Sequence, residues 1–313
     1  MTSRAEVLDL VEGLHSDVRI DGRRRREWRH FTVQLGVAPH AQGSAMVTIG
    51  KTQVIVGITC HVGEATVEGQ GTMRIDVDAS PNALKVNSRD NMEITRQRYA
   101  LSSAVANVLS SLTGATTGDV DADPLTRVEG VSGPPPPANR GGLDYAELYV
   151  GSGHCFNLQV DVTLLTCDGG NVFGCASYAV KAALMAMKLP HVTVSQGVDG
   201  STSVTVDPDP SKAKALRGTR DIPIAVVLCL YGGFYLVDPS YEEEVIPTMV
   251  ALGVSGDQLV SFAETIPSLR PTAGVIPAKQ IPGADLLVVL EEGALVADDI
   301  DSYLMEAVAS QLA

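Results

Sequence analysis

Between residues 31 and 79, apolar and polar side chains alternate with the two-residue period of half-buried strands. Phe31–Val37, Ser44–Ile49, Thr52–Val62 and Thr72–Ala79 each read this way, with Gly36, Gly43, Gly50 and Gly63 at their ends. The period lengthens from Asn91 to Leu112, where Met92, Leu101, Val105, Val108, Leu109 and Leu112 mark one face of a helix. Alternation returns in Leu143–Val150 and His154–Thr166, predicted as two strands around Gly151-Ser152-Gly153. The second strand runs through Val160, Val162, Leu164 and Leu165 into Asp168-Gly169-Gly170-Asn171, residue types that tolerate a sharp reversal. Helical spacing then begins at once, with Val172, Ala176, Ala179, Val180 and Ala183 on one apolar face. Gly174, Ala176, Ser177, Ala179, Ala182 and Ala183 are small enough to let this helix lie close against its neighbours, which places it at the centre of the molecule.

The flanks complete an α+β pattern. Ser3-Arg4-Ala5-Glu6 has capping-box spacing, and Val7, Leu8, Leu10, Val11 and Leu14 stripe a short first helix. After the central helix, Val192–Ser195, Ser201–Val206, Ile222–Tyr231 and Phe234–Val237 read as strands, the last two joined by the hairpin signal Gly232-Gly233. The tail from Asp285 to Ala313 is acidic and ends in a helix carrying Ile300, Tyr303, Leu304, Ala307, Val308 and Leu312. Strands followed by a helix occur twice, ending at Leu112 and Lys188, so two similar β-α lobes packed back to back are expected. The expected division is 1–190 and 191–313. Thr113–Gly142, rich in Gly, Thr, Asp and Ser and holding Pro134–Pro137, reads as an exposed, partly disordered insertion within the first lobe.

Composition narrows the chemistry. Of 313 residues, 45% are apolar and only 4% aromatic, which implies a core of Val, Leu, Ala and Ile. The formal charge of −14 argues against nucleic-acid binding over a broad face, since phosphate recognition rests on Lys and Arg. Cys60, Cys155, Cys167, Cys175 and Cys229 form no CxxC pair and read as reduced thiols of an intracellular protein. The histidines lack metal-ligand spacing, so neither a metal nor a cofactor is expected. No apolar stretch approaches the roughly 20 residues of a membrane span.

Four stretches carry candidate chemistry. A glycine turn opening onto a buried helix end, as at Gly169-Gly170, can hold an anion on backbone N–H groups, but here no basic side chain completes it. Arg19–Arg29 is the densest positive segment and reads as a solvated loop paired with the protein's own acids. Gly50-Lys51-Thr52 reads as a hairpin turn, because Ala45 stands where a phosphate-binding P-loop needs glycine. Asp238 and Glu242–Glu244 read as an acidic loop in which Asp238 caps its own backbone.

The order of Asp21-Gly22-Arg23, Gly43-Ser44-Ala45, Gly50-x-Thr52, the helix holding Glu93, and Asp168-Gly169-Gly170 resembles the ribonuclease PH family across nearly the whole chain. More narrowly, Gly169–Phe173, Ser177-x-Ala179–Leu184 and Val237–Ser240 resemble its non-catalytic RNA exosome ring subunits, of the branch numbered forty-two. The resemblance implies a hetero-hexameric ring of related subunits around a channel for single-stranded RNA, with RNA-binding caps and associated exoribonucleases docked on it. It implies a structural role in 3′-to-5′ RNA processing, including rRNA maturation and mRNA turnover, in nucleus, nucleolus and cytoplasm. The alternative is a phosphate-dependent 3′-to-5′ exoribonuclease in its own right. Catalytic members hold phosphate with Gly-Thr-Arg at the helix start, where this chain has Asn171 and Val172 after Gly169 and Gly170. Their paired aspartates fall at Glu244 and Val250, and a valine can neither hold a metal nor move a proton. The resemblance also makes Arg96 and Arg98 candidates to touch RNA, although Ala100 and Ser103 stand where further arginines are common.

Overall fold

The computed structural model describes residues 4–65, 69–83, 91–117, 143–196, 202–207, 209–231, 233–246, 248–255, 258–266 and 283–312. Helix α1 (Arg4–Ser16) is followed by strands β1 (Phe31–Leu35), β2 (Gly43–Ile49), β3 (Thr52–Glu64) and β4 (Thr72–Ala79), then α2 (Asn91–Thr113). Short β5 (Thr116–Thr117) and β6 (Tyr149–Gly151) precede the long β7 (His154–Cys167) and central α3 (Val172–Ala186). The remainder comprises β8 (Lys188–Leu189), β9 (Val192–Gln196), β10 (Thr202–Val206), β11 (Lys214–Ala215), β12 (Ile224–Tyr231), β13 (Phe234–Val237), β14 (Thr248–Ser255), β15 (Gln258–Ile266) and α4 (Gly283–Leu312).

Two sheets organise most of these elements, and β9–β10 and β8–β11 form separate antiparallel pairs. The larger runs β1-β2-β3-β7-β4-β5 with β6 on β7, and the smaller runs β13-β12-β14-β15. Hairpins make β1, β2 and β3 antiparallel, whereas β4 lies parallel to β7, reached through α2. The alternating residues fall as their period requires: Val54, Val56 and Ile58 of β3 and Val160, Val162 and Leu164 of β7 are buried. Helix α3 packs against β1, β2, β3 and β7 of the large sheet and against β12 of the small one. Every residue from Val172 to Leu184 is buried, so α3 lacks the solvent face that a single apolar stripe predicts. Its small side chains explain the fit: a Cβ on Gly43 of β2 would lie 2.5 Å from the Ala183 carbonyl oxygen.

Three further differences from the sequence pattern appear. Leu143–Val150 is not one strand: Asp144 accepts a hydrogen bond from the Ala146 N–H and caps a 3₁₀ turn over Tyr145–Leu148, leaving β6 only three residues. The β14–β15 hairpin was not anticipated. Residues Met249–Val254 of β14 are buried on both faces, so the strand lacks the alternation that betrays β1–β4. The C-terminal helix is long, 30 residues, and its Gln311 closes the outer edge of β1 by donating to the Val33 oxygen and accepting from the Leu35 N–H. The expected N-terminal capping serine and the proline-rich stretch lie outside the described residues.

Candidate functional site

The turn between β7 and α3 is gripped from two sides. Gly170 and Asn171 adopt positive φ, 74° and 51°. A Cβ on Gly169 would stand 2.7 Å from the Thr52 nitrogen, and one on Gly170 would stand 2.5 Å from the Tyr241 nitrogen. The β2–β3 hairpin, which turns at Gly50-Lys51 as expected, thus presses on Gly169, and the loop after β13 presses on Gly170. Thr52 ties the first contact, its hydroxyl donating to the Gly170 oxygen at 2.8 Å and accepting the Gly169 N–H at 3.1 Å.

Asn171 caps α3, its Oδ1 accepting the Gly174 N–H at 3.1 Å. Its own N–H donates to Glu244 Oε1 at 2.8 Å, and its Nδ2 donates to Asp238 Oδ1 at 2.7 Å. The end of α3, where backbone N–H groups favour negative charge, therefore already holds a buried carboxylate supplied by the same chain. Val172 is buried behind the cap, and Val250 lies in β14 opposite Leu228 within the hydrophobic core.

Asp238 sits at the centre of this network. Its φ is 50°, and its side chain caps no backbone of its own loop; it faces residues far away in sequence. Arg29 Nη2 donates to Oδ1 at 2.7 Å, while Arg29 Nε and the Arg29 backbone N–H each donate to Oδ2 at 2.8 Å. Arg23 Nη1 adds a third guanidinium contact at 3.1 Å. Burial pushes the Asp238 carboxyl group up, but the bonds and charge of Arg29, then Arg23 and the Asn171 amide, outweigh it and hold the group below the usual carboxylate range. Reciprocally, burial lowers Arg29, and Asp238 more than restores it. Arg29 Nη1 also donates to the Gly169 oxygen at 2.6 Å, so a basic side chain does reach the glycine turn, contrary to the expectation from neighbouring sequence. Its charge is spent on Asp238.

A second buried pair lies alongside. Arg19 forks onto Glu243, with Nε–Oε1 2.8 Å and Nη2–Oε2 2.6 Å. Its remaining donors reach the oxygens of Glu27, Val237 and Asp238. Arg25 pairs with Asp17 and Arg26 with Glu292, so the basic segment is largely neutralised by the protein's own acids, as expected. What sequence reasoning missed is that Arg19 and Arg29 are structural pins; the available signal was the matching acidic loop more than 200 residues away.

The two arginines of α2 differ. Arg98 donates Nε to the Ala79 oxygen at 2.7 Å and approaches Asp78 at 3.5 Å, which ties it to the end of β4. Arg96 is exposed. Neither adjoins the α3 network. Among the described residues, no cluster of three or more His, Cys, Asp or Glu is arranged to hold a metal ion.

The α+β fold with its buried helix opening from a glycine turn agrees with the ribonuclease PH class, whose family model, described as the 3′ exoribonuclease family, domain 1, matches residues 27–190. The chain belongs to this family. Among relatives, a Dictyostelium discoideum protein bearing the exosome exonuclease name RRP42 is 26% identical, over 93% of this chain and 97% of its own length. The exosome complex component Rrp42 of Methanopyrus kandleri is 28% identical over 79% of each chain. The fold is similar to that of a chain of the Archaeoglobus fulgidus exosome with RNA bound to the active site (TM-score 0.67, 21% identity, 95% of this chain and 97% of that one). A chain of an archaeal exosome core gives 0.62 with 21% identity and 96% coverage of each.

Proposed function

We propose that the chain is a structural, non-catalytic subunit of an exosome-type ring that supports 3′-to-5′ RNA processing by associated nucleases. One observation carries this: at the α3 N-terminus, where catalytic family members would hold phosphate with Thr-Arg, the Asn171 N–H and amide are already bonded to Glu244 and Asp238, and the Val172 side chain offers no donor. A phosphate brought there would meet no arginine from the helix itself, and the Arg29 guanidinium at the turn is already paired with Asp238. Val250, at the second aspartate position, offers no proton and no metal ligand. The Rrp42 names of relatives aligned over most of this chain support the ring assignment.

On this reading the subunit stands among related ring members around a channel for single-stranded RNA, with RNA-binding caps and exoribonucleases docked outside, in nucleus, nucleolus and cytoplasm. Its two lobes divide near residue 190, and Arg96 is its RNA-facing arginine. Native mass spectrometry of the tagged full chain recovered from its own cells is expected to give one copy among several distinct related subunits. The purified chain with inorganic phosphate is expected to leave a 5′-labelled single-stranded RNA intact. A complex of this chain alone, or phosphate-dependent shortening of that RNA by the chain alone, would overturn the assignment and favour the alternative of an active phosphorolytic enzyme.

A further inference from the structure

Residues Arg23–His30 also form one wall of an open cleft on the outer side of the glycine turn. The cleft has a volume of about 550 Å³ and is lined by Arg23, Glu27, Trp28, Arg29 and His30, with Gly50 of the β2–β3 turn on its other side. That volume suits a small organic ligand. One wall is aromatic: the Trp28 and His30 rings lie 5.1 Å apart, and Tyr303 of α4 braces each at 5.3 Å. Another is basic, and its guanidiniums are held in place from behind by Asp238.

Counting donors shows what is left for a ligand. Arg29 spends Nε and both Nη2 hydrogens on Asp238 and the Pro239 oxygen and one Nη1 hydrogen on the Gly169 oxygen, which leaves one Nη1 hydrogen. Arg23 spends Nε on Asp21 and its Nη1 hydrogens on Glu27 and Asp238, and Nη2 makes only a long 3.4 Å contact with the Asp238 oxygen. Gly50 adjoins the Arg29 donor: a Cβ there would sit at ordinary contact distance, 3.5 Å, from Nη1, and its φ of 56° suits glycine. Glu27 is the acid of the lining, and its carboxylate accepts the Arg24 N–H at 2.9 Å.

We propose that this cleft is a nucleotide site, with a phosphate monoester or diester on Arg23 and Arg29 and the planar base stacked on the exposed His30 ring with its edge toward Trp28, which stands at 61° to it. Aromatic faces accept any base, and the N–H donors left on Arg29 Nη1 and Arg23 Nη2 suit phosphate oxygens. The ligand is a free mononucleotide or one nucleotide of single-stranded RNA, which share this chemistry. The site stands whether or not the chain is a ring subunit.

Trp28 is the sole tryptophan of the chain, so its emission reports on this cleft. The full chain is titrated with AMP, adenosine, inorganic phosphate and a short oligoadenylate. AMP is expected to change Trp28 emission saturably at about tenfold lower concentration than adenosine, because the phosphate supplies the charge-assisted contacts. Inorganic phosphate is expected to compete. Tighter binding of the oligonucleotide assigns the site to RNA, and equal or tighter binding of AMP assigns it to free nucleotide; both support it. His30→Ala removes an exposed ring and is expected to weaken AMP about fivefold with unchanged melting temperature. Equal responses to AMP and adenosine, no saturation by about 10 mM, or unchanged affinity in His30→Ala would overturn the proposal.

Discussion

Asp238 is a buried carboxylate whose ionised form is held by two arginines and an amide, and this ties the stability of the protein to pH. Its folded pKa lies below the ordinary value, so its contribution is complete above about pH 4 and is lost as pH falls through the folded pKa. Denaturation by urea should therefore show a midpoint that drops on the acid side in the wild type. Asp238→Asn should flatten that part of the dependence. At neutral pH the same variant should lose about 3–5 kcal/mol, because Arg29 and Arg23 are left buried without their shared counter-charge. An Asp238→Asn protein with wild-type stability at neutral pH would mean that solvent, and not Asp238, neutralises the two guanidiniums.

At the scale of elements, legibility in sequence follows how each side chain is covered. Strands β1–β4 and β7 were readable because one face is buried and the other is not, which writes a two-residue period. Helix α3 was placed correctly from its turn and small residues, but its burial on all sides erases the amphipathic signal beyond one stripe. Asp238 and Arg29 were visible only as ordinary loop charges, since their pairing joins residues 209 positions apart, and the Asn171–Glu244 contact, spanning 73, is equally tertiary. The join between α3 and α4 has the same character: Lys181 is fully buried, and its Nζ lies 2.7 Å from Asp301 Oδ1. Burial lowers the Lys181 pKa and Asp301 opposes that shift, so the ammonium depends on its partner. Asp301→Ala should cost about 3–5 kcal/mol in chemical denaturation, and adding Lys181→Met should recover most of the loss, since the uncompensated charge is gone. If the double variant is no better than Asp301→Ala, the ion pair is not what secures α4.

The whole molecule carries a net charge of −14, so RNA is repelled at long range and any contact rests on local cations. The structure separates the two candidates on α2. Arg98 is committed to the Ala79 oxygen and Asp78, whereas Arg96 is exposed one helical turn beyond the exposed side chain of Met92. Reversing charge at each position should therefore give opposite outcomes. Arg98→Glu places a carboxylate beside Asp78 and the Ala79 oxygen and should lower the melting temperature of the isolated chain. Arg96→Glu should leave that temperature unchanged, because it disturbs no such contact. In the assembled complex, Arg96→Glu should instead weaken RNA retention in filter binding and reduce the slope of log affinity against log salt by about one, the signature of one lost phosphate contact. If the slope is unchanged while the complex still assembles, RNA does not pass this face of α2. The positive surface that serves the channel must then belong to neighbouring subunits or to the Arg23–Arg29 cleft, with α2 contributing shape alone.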